Sequence, residues 1–153
     1  METYFDFTDD DRTVAYKHEQ FYEKYWSSVY CIGKSSETEK INVKFIMNMD
    51  NILFGICNEN FKGGKPAETS DAWAWSCTDG KGTHENKDAD YQAHDLGNIE
   101  NVEVIMDYDG SSKKLDITAN GKTWSWTDED FPTEAKFMWS LLSTQQRVTL
   151  LPN

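Results

Sequence analysis

The sequence predicts an all-β protein, an antiparallel β-sandwich. Three observations carry that prediction. From Trp26 onward, short apolar segments alternate with polar ones at a period of two residues. Turn-forming residues separate these segments at regular intervals. Finally, two tight turns within residues 102–126, VEVIMDYDGSSKKLDITANGKTWSW, put the apolar residues of three consecutive strands on one face.

The elements follow in order. Residues 1–25 read as an acidic N-terminal extension packing on the domain, with residues 26–153 as the sandwich. Within the extension, TVAYKHEQFYEKY (13–25) reads as a short helix, although Val14, Tyr16, Phe21 and Tyr25 have no single helical spacing. WSSVYCIGK is strand-like. KINVKFIM alternates, with Ile41, Val43, Phe45 and Met47 on one face and Asn42 and Lys44 on the other. NMDN reads as a turn, because Asn and Asp tolerate turn conformations. ILFGIC is uniformly apolar, as expected of a strand covered on both faces. NENFKGGKPAETS is a loop, and DAWAWSC is a strand carrying Trp73, Trp75 and Cys77 on one face. The polar stretch 78–98 reads as one long loop, of the kind that carries function. KFMWSLLS and QRVTLL complete the strands.

The hairpins set their own registers. Asn120-Gly121 predicts a two-residue type I′ turn, which pairs Ala119 with Lys122, Ile117 with Trp124 and Leu115 with Trp126. A four-residue loop at DGSS pairs Tyr108 with Lys113, Met106 with Leu115 and Val104 with Ile117. Trp124 and Trp126 then share a core face with Leu115 and Ile117.

Composition narrows the function classes. Fifteen Lys and Arg residues against 27 Asp and Glu give a net charge of −12, which disfavours nucleic acid and anionic membrane surfaces and permits a basic partner without requiring one. The start, METYFDFTDDDR, lacks a basic region followed by an apolar one, so no signal peptide is expected. Cys31, Cys57 and Cys77 form no CxxC pair and read as buried thiols. A reducing, cytoplasmic location is expected on both grounds.

No catalytic motif stands out: there is no nucleophile elbow, P-loop, HExxH or dinucleotide fingerprint. Asp107, Asp109 and Gly110 imitate the start of a calcium loop. Glycine falls at the fourth position instead of the sixth, however, and Thr118 stands where the closing Glu belongs. His84, Asp88, Asp90, His94 and Asp95 read as a solvated loop. No metal and no cofactor is expected.

Several stretches resemble the SPRY family. Leu53-Phe54-Gly55-Ile56-Cys57 looks like its "VGV" strand, and Ser70-Asp71-Ala72-Trp73-Ala74-Trp75 like its "SWGW" or "AW" signature. Val104, Met106, Asp107, Gly110, Leu115, Ile117, Asn120 and Gly121 match its "GVxLDxxxGxLxFxxNG" core, and Phe137 to Leu150 its final strands. The chain departs from the pattern at Glu103, at Ile117-Thr118 and at Lys136, and the first 25 residues match nothing in it.

The resemblance implies a concanavalin-like jelly roll. It also implies a non-catalytic protein- or peptide-recognition module, an adaptor or subunit of a larger assembly, whose partner docks on loops at one edge. The loop before the "SWGW" match supplies Asn60, Phe61, Lys62 and Lys65. The last inter-strand loop supplies Ser143, Thr144, Gln145 and Gln146, and the long polar loop supplies Tyr91. Phe61 is either an exposed anchor or folded back onto the sandwich, and 143–146 either a contact loop or an ordinary turn. The alternative function is a lectin on the same sandwich, with Trp73, Trp75 or Trp139 stacking on sugar rings.

Overall fold

The computed structural model describes residues 5–7, 14–17, 27–31, 35–62, 65–76, 81–85, 87–88, 99–141 and 145–152, with the backbone alone for 5–7, 14–17, 27–31 and 87–88. β1 (Phe5–Phe7), β2 (Val14–Lys17), β4 (Ile41–Met47), β9 (Val102–Asp109), β10 (Lys114–Ala119), β11 (Lys122–Thr127) and β13 (Arg147–Leu151) form one antiparallel sheet. Its order is β1-β2-β13-β4-β9-β10-β11. β3 (Ser27–Cys31), β5 (Leu53–Cys57), β6 (Ala72–Ser76), β7 (Lys81–His84), β8 (Lys87–Asp88) and β12 (Lys136–Leu141) form the second, in the order β3-β12-β5-β6-β7-β8. The only helical turn among the described residues is a 3₁₀ turn at Pro66–Glu68.

The core lies between the sheets. β4, β9, β10 and β11 each bury alternate residues, because successive side chains of a strand point to opposite faces. Phe45 packs edge-to-face on Phe54 at 5.3 Å and on Trp139 at 5.2 Å, and Phe54 on Trp75 at 5.1 Å. Each such buried side chain contributes about 1.5–3 kcal/mol relative to exposure. Trp124 and Trp126 are buried in the same core, as their place in the hairpin predicts.

β5 is buried throughout. Phe54 and Ile56 face the main core. Leu53 and Cys57 face outward into a second apolar cluster with Phe61, Ala72, Ala74 and Met138. Between them, Gly55 lies so close to β6 that a Cβ would sit 2.0 Å from the carbonyl oxygen of Trp73, so glycine alone fits.

The hairpins test the register argument. Asn120 (φ 50°) and Gly121 (φ 73°) both take the positive φ of a type I′ turn. Ala119 pairs with Lys122, Ile117 with Trp124 and Leu115 with Trp126, as expected. The β9–β10 register differs: Leu115 pairs with Tyr108, Ile117 with Met106 and Ala119 with Val104. The loop is therefore 110–113, one residue later than DGSS. Lys113 provides the left-handed residue at φ 51°, and the Asp109 carboxylate accepts hydrogen bonds from the Ser111 and Ser112 amides. The slip displaces each partner by two residues, so every side chain keeps its face.

Two further expectations are corrected. Val14–Lys17 is a strand paired with Arg147–Thr149, not helix; its Val and Tyr suit a strand, and β13 offers the ladder. Residues 18–25 of the expected helix lie outside the described residues. The polar stretch 78–98 contains a short hairpin, β7–β8, with Thr83 opposite Asp88 and His84 opposite Lys87. Such a hairpin at a sheet's edge is held by backbone bonds and leaves no apolar signature.

Candidate functional site

Strand direction decides which loops meet. Lys136 opposes Cys57 and Ser140 opposes Leu53, so β5 ends where β12 begins. Loop 58–71 therefore leaves the sandwich at one end, and loop 142–146 at the other. The length of β5, about 13 Å of strand, separates them. The described candidate residues of the two loops, Asn60, Phe61, Lys62 and Lys65 against Gln145 and Gln146, therefore stand at opposite ends of the sandwich.

The 58–71 end is fastened by apolar side chains and a clasp. Asn58 donates its amide N–H to the Asp71 carbonyl at 2.9 Å and its Nδ2 to the Asp71 carboxylate at 3.0 Å, closing the loop. The Asn60 amide donates to Asn58 Oδ1 at 2.9 Å, which starts a tight turn. That turn sends Phe61 inward, where it is only 3% exposed. Phe61 is thus no exposed anchor. Leu53, Cys57 and Met138 leave an apolar site on the outer face of β5 and β12, and burying the ring there outweighs exposing it. Asn60, Lys62 and Lys65 remain exposed above it. Lys65 pairs with Glu68 at 2.7 Å, and Lys62 Nζ donates to the Glu59 carbonyl at 3.3 Å.

The same end holds an aromatic seam that the sequence did not announce. Phe131, in a polar segment, is buried against Trp73, Trp126 and Tyr108 at centroid distances of 5.7, 5.1 and 6.0 Å. The Tyr108 hydroxyl donates to the Pro132 carbonyl, and burial pushes its pKa up. Ser35, fully buried, donates Oγ to the Thr133 carbonyl at 2.7 Å and accepts from the Ala135 amide at 2.8 Å. His84 stacks on Trp73 at 4.4 Å, with Nδ1 2.7 Å from the Ala72 carbonyl oxygen. Only an apolar residue inside a charged run, here Phe131 in TDEDFPTE, offered a clue to this seam.

At the opposite end, amides do the fastening. Asn48 Nδ2 donates to the Gln145 carbonyl at 2.8 Å, and Asn48 Oδ1 accepts from the Arg147 amide at 2.7 Å. Gln146 is 2% exposed and donates Nε2 to the Asp50 carbonyl at 2.8 Å. Its side chain is turned inward, so it is not the outward hydrogen-bonding group expected of a contact residue. Gln145 is exposed, and Tyr91, Ser143 and Thr144 lie outside the described residues.

The remaining chemistry is structural. Burial pushes the Cys57 thiol up to about 12, so it is protonated and a poor nucleophile. Asp109 is held well below the usual carboxylate range, chiefly by the Ser111 hydroxyl at 2.6 Å, and its oxygen caps the turn. Among the described residues, no group of three or more His, Cys, Asp and Glu side chains is arranged to hold a metal. Trp73, Trp75 and Trp139, the residues expected to stack on sugars, are 3%, 0% and 1% exposed. All three are spent on the core and offer no sugar platform.

No family model and no curated protein sequence matches the chain. Solved structures do. The SPRY domain of human HERC1 superposes with a TM-score of 0.74 at 12% identity, over 95% of this chain and 96% of that one. The TRIM65 PSpry domain gives 0.72 at 12% identity, over 99% and 85%. A human SPRY domain gives 0.69 at 14% identity, over 96% and 94%. The likeness covers 95–99% of this chain, and so both sheets: the chain has a SPRY-like fold.

Proposed function

We propose that this chain is a non-catalytic protein- or peptide-recognition module, working as an adaptor or as a subunit of a larger assembly, and that its partner docks on the 58–71 end. One observation carries the reading. With Phe61 buried and Asn58 clasped to Asp71, the described residues at 58–62 and 65–71 are braced from below, and Asn60, Lys62 and Lys65 stand exposed on them. The SPRY-like fold supports the reading, because such sandwiches carry recognition on loops set on a rigid scaffold.

The partner is basic. Glu59, Glu68, Glu85, Glu129, Asp130 and Glu134 are exposed at this end, in a chain of net charge −12. Complementary charge speeds encounter and sets orientation more than it adds affinity. Lys62 and Lys65 then mark the polar centre of a mostly acidic rim.

The test is quantitative capture of the stoichiometric partner from the native cell by a variant carrying Asn60→Ala, Lys62→Ala and Lys65→Ala. Capture is expected to fall at least about tenfold, the equivalent of ~1.4 kcal/mol. Gln145→Ala, at the opposite end, is expected to leave it unchanged. Undiminished capture by the triple variant would place the partner elsewhere.

A further inference from the structure

Asn120 and Gly121 form the tip of the β10–β11 hairpin, at the end opposite loop 58–71. Both are exposed, and an added Cβ at Gly121 would meet nothing within 4 Å, so no neighbour hems in the peptide bond between them. No other asparagine in the sequence precedes a glycine. The last ladder pair is Ala119 with Lys122, so the Gly121 amide lies outside the sheet. Among the described residues the Asn120 side chain has no hydrogen-bond partner. A primary amide thus stands next to a glycine nitrogen whose own residue has no side chain and has open space at its Cβ position.

We propose that Asn120 is a site of spontaneous deamidation and isomerisation. The Gly121 nitrogen, losing its proton, bonds to Asn120 Cγ. The Cγ–Nδ2 bond breaks, and the nitrogen leaves as ammonia with that proton, closing a five-membered imide. Water then opens the imide. Cleavage at the backbone carbonyl leaves an isoaspartyl link, and cleavage at Cγ leaves aspartate. No oxidant and no enzyme is needed. Asn120 sits in the left-handed region, at φ 50°, so the attack draws on moments when the two-residue turn opens; the ladder behind it, from Ala119 to Lys114, holds the rest of the hairpin in register.

The product matters for the fold. The isoaspartyl link adds one carbon to the main chain inside a turn of two residues, which is incompatible with type I′ geometry. Either product adds a negative charge to the hairpin tip. The isoaspartyl form is a substrate for carboxyl methylation, the chemistry by which such links are recognised.

The experiment ages the purified full chain at neutral pH and 37 °C, digests it with trypsin and follows the peptide Leu115–Lys122, LDITANGK. Carboxyl methylation by a protein-isoaspartate methyltransferase, with radiolabelled S-adenosylmethionine, reports the isoaspartyl link. The expected result is label accumulating in LDITANGK, with the mass gain of one amide-to-acid exchange, and no such mass gain in the peptides of the other asparagines. Asn120→Gly keeps a turn-forming pair and removes the amide, so its label is expected to vanish. If LDITANGK keeps its amide in the folded chain while a urea-denatured sample loses it, the turn protects the site and the proposal fails. Label persisting in Asn120→Gly overturns it as well.

Discussion

At the 58–71 end, rings hold the chain in place: Phe61 fills the outer cluster on β5 and β12, and Phe131 fills the seam between Trp73, Trp126 and Tyr108. At the 142–146 end, amides do the same work, with Asn48 and Gln146 bonded to backbone carbonyls and amides across the β4–β5 turn and the last loop. The difference bears on function. Fastening by buried rings leaves the polar groups of a loop outside, where a partner can reach them. Fastening by Asn48 and Gln146 consumes the hydrogen-bonding groups that a partner would use.

The ring-fastened end depends most on Phe131. Phe131→Ala empties a fully enclosed site and is expected to cost about 3–5 kcal/mol, with Phe61→Ala at the low end of that range because its cluster is smaller. Urea midpoints with unchanged slopes would measure both. Gln146→Ala is expected to cost less, about 0.5–1.5 kcal/mol, since it removes one hydrogen bond to the carbonyl of the exposed Asp50 without opening a large cavity. A Gln146→Ala variant less stable than Phe131→Ala would reverse the assignment of apolar and polar fastening.

Acid sharpens the picture at the β9–β10 turn. Asp109, with its folded pKa held below the unfolded value, contributes stability that is present above the usual carboxylate pKa and is lost as pH falls through the lower folded value. Asp107 is the opposite case. Burial, then the neighbouring Asp116, raises its pKa, so its charged form costs stability at neutral pH and the cost is relieved as it takes up a proton. Asp109→Asn is therefore expected to flatten the loss of stability between about pH 4 and pH 2, as followed by urea midpoints at each pH. An unchanged acid limb would mean that the turn does not depend on the carboxylate.

The smallest stability effect belongs to the exposed lysines. Lys62→Ala and Lys65→Ala are expected to move the folding free energy by less than about 0.5 kcal/mol, because surface pairs such as Lys65–Glu68 contribute little. Thermal melts that shift by several degrees would show that these side chains brace the loop instead of crowning it.

Much of the scaffold was readable in the chain. The faces of β4, β9, β10 and β11 followed from alternation, and the β10–β11 register from Asn120-Gly121. The site was less readable. Phe61 stands in NENFKGGK with no periodic partner, and nothing local says that it turns inward; that depends on Met138, far away in sequence. Gln146 has the composition of a contact residue, yet its partner is Asp50. The β9–β10 turn misled by one residue because both DGSS and GSSK satisfy turn chemistry, and only the positive φ of Lys113 separates them.

Local rules therefore account for the strands, their buried faces and the type I′ hairpin, because side-chain alternation and the glycine-tolerant left-handed turn act over a few residues. The pairing of β13 with both β2 and β4, and of β12 with both β3 and β5, arises from contacts distant in sequence. Those pairings send loops 58–71 and 142–146 to opposite ends of the sandwich, and close packing of the sheets then chooses which of their side chains are buried and which are left for a partner.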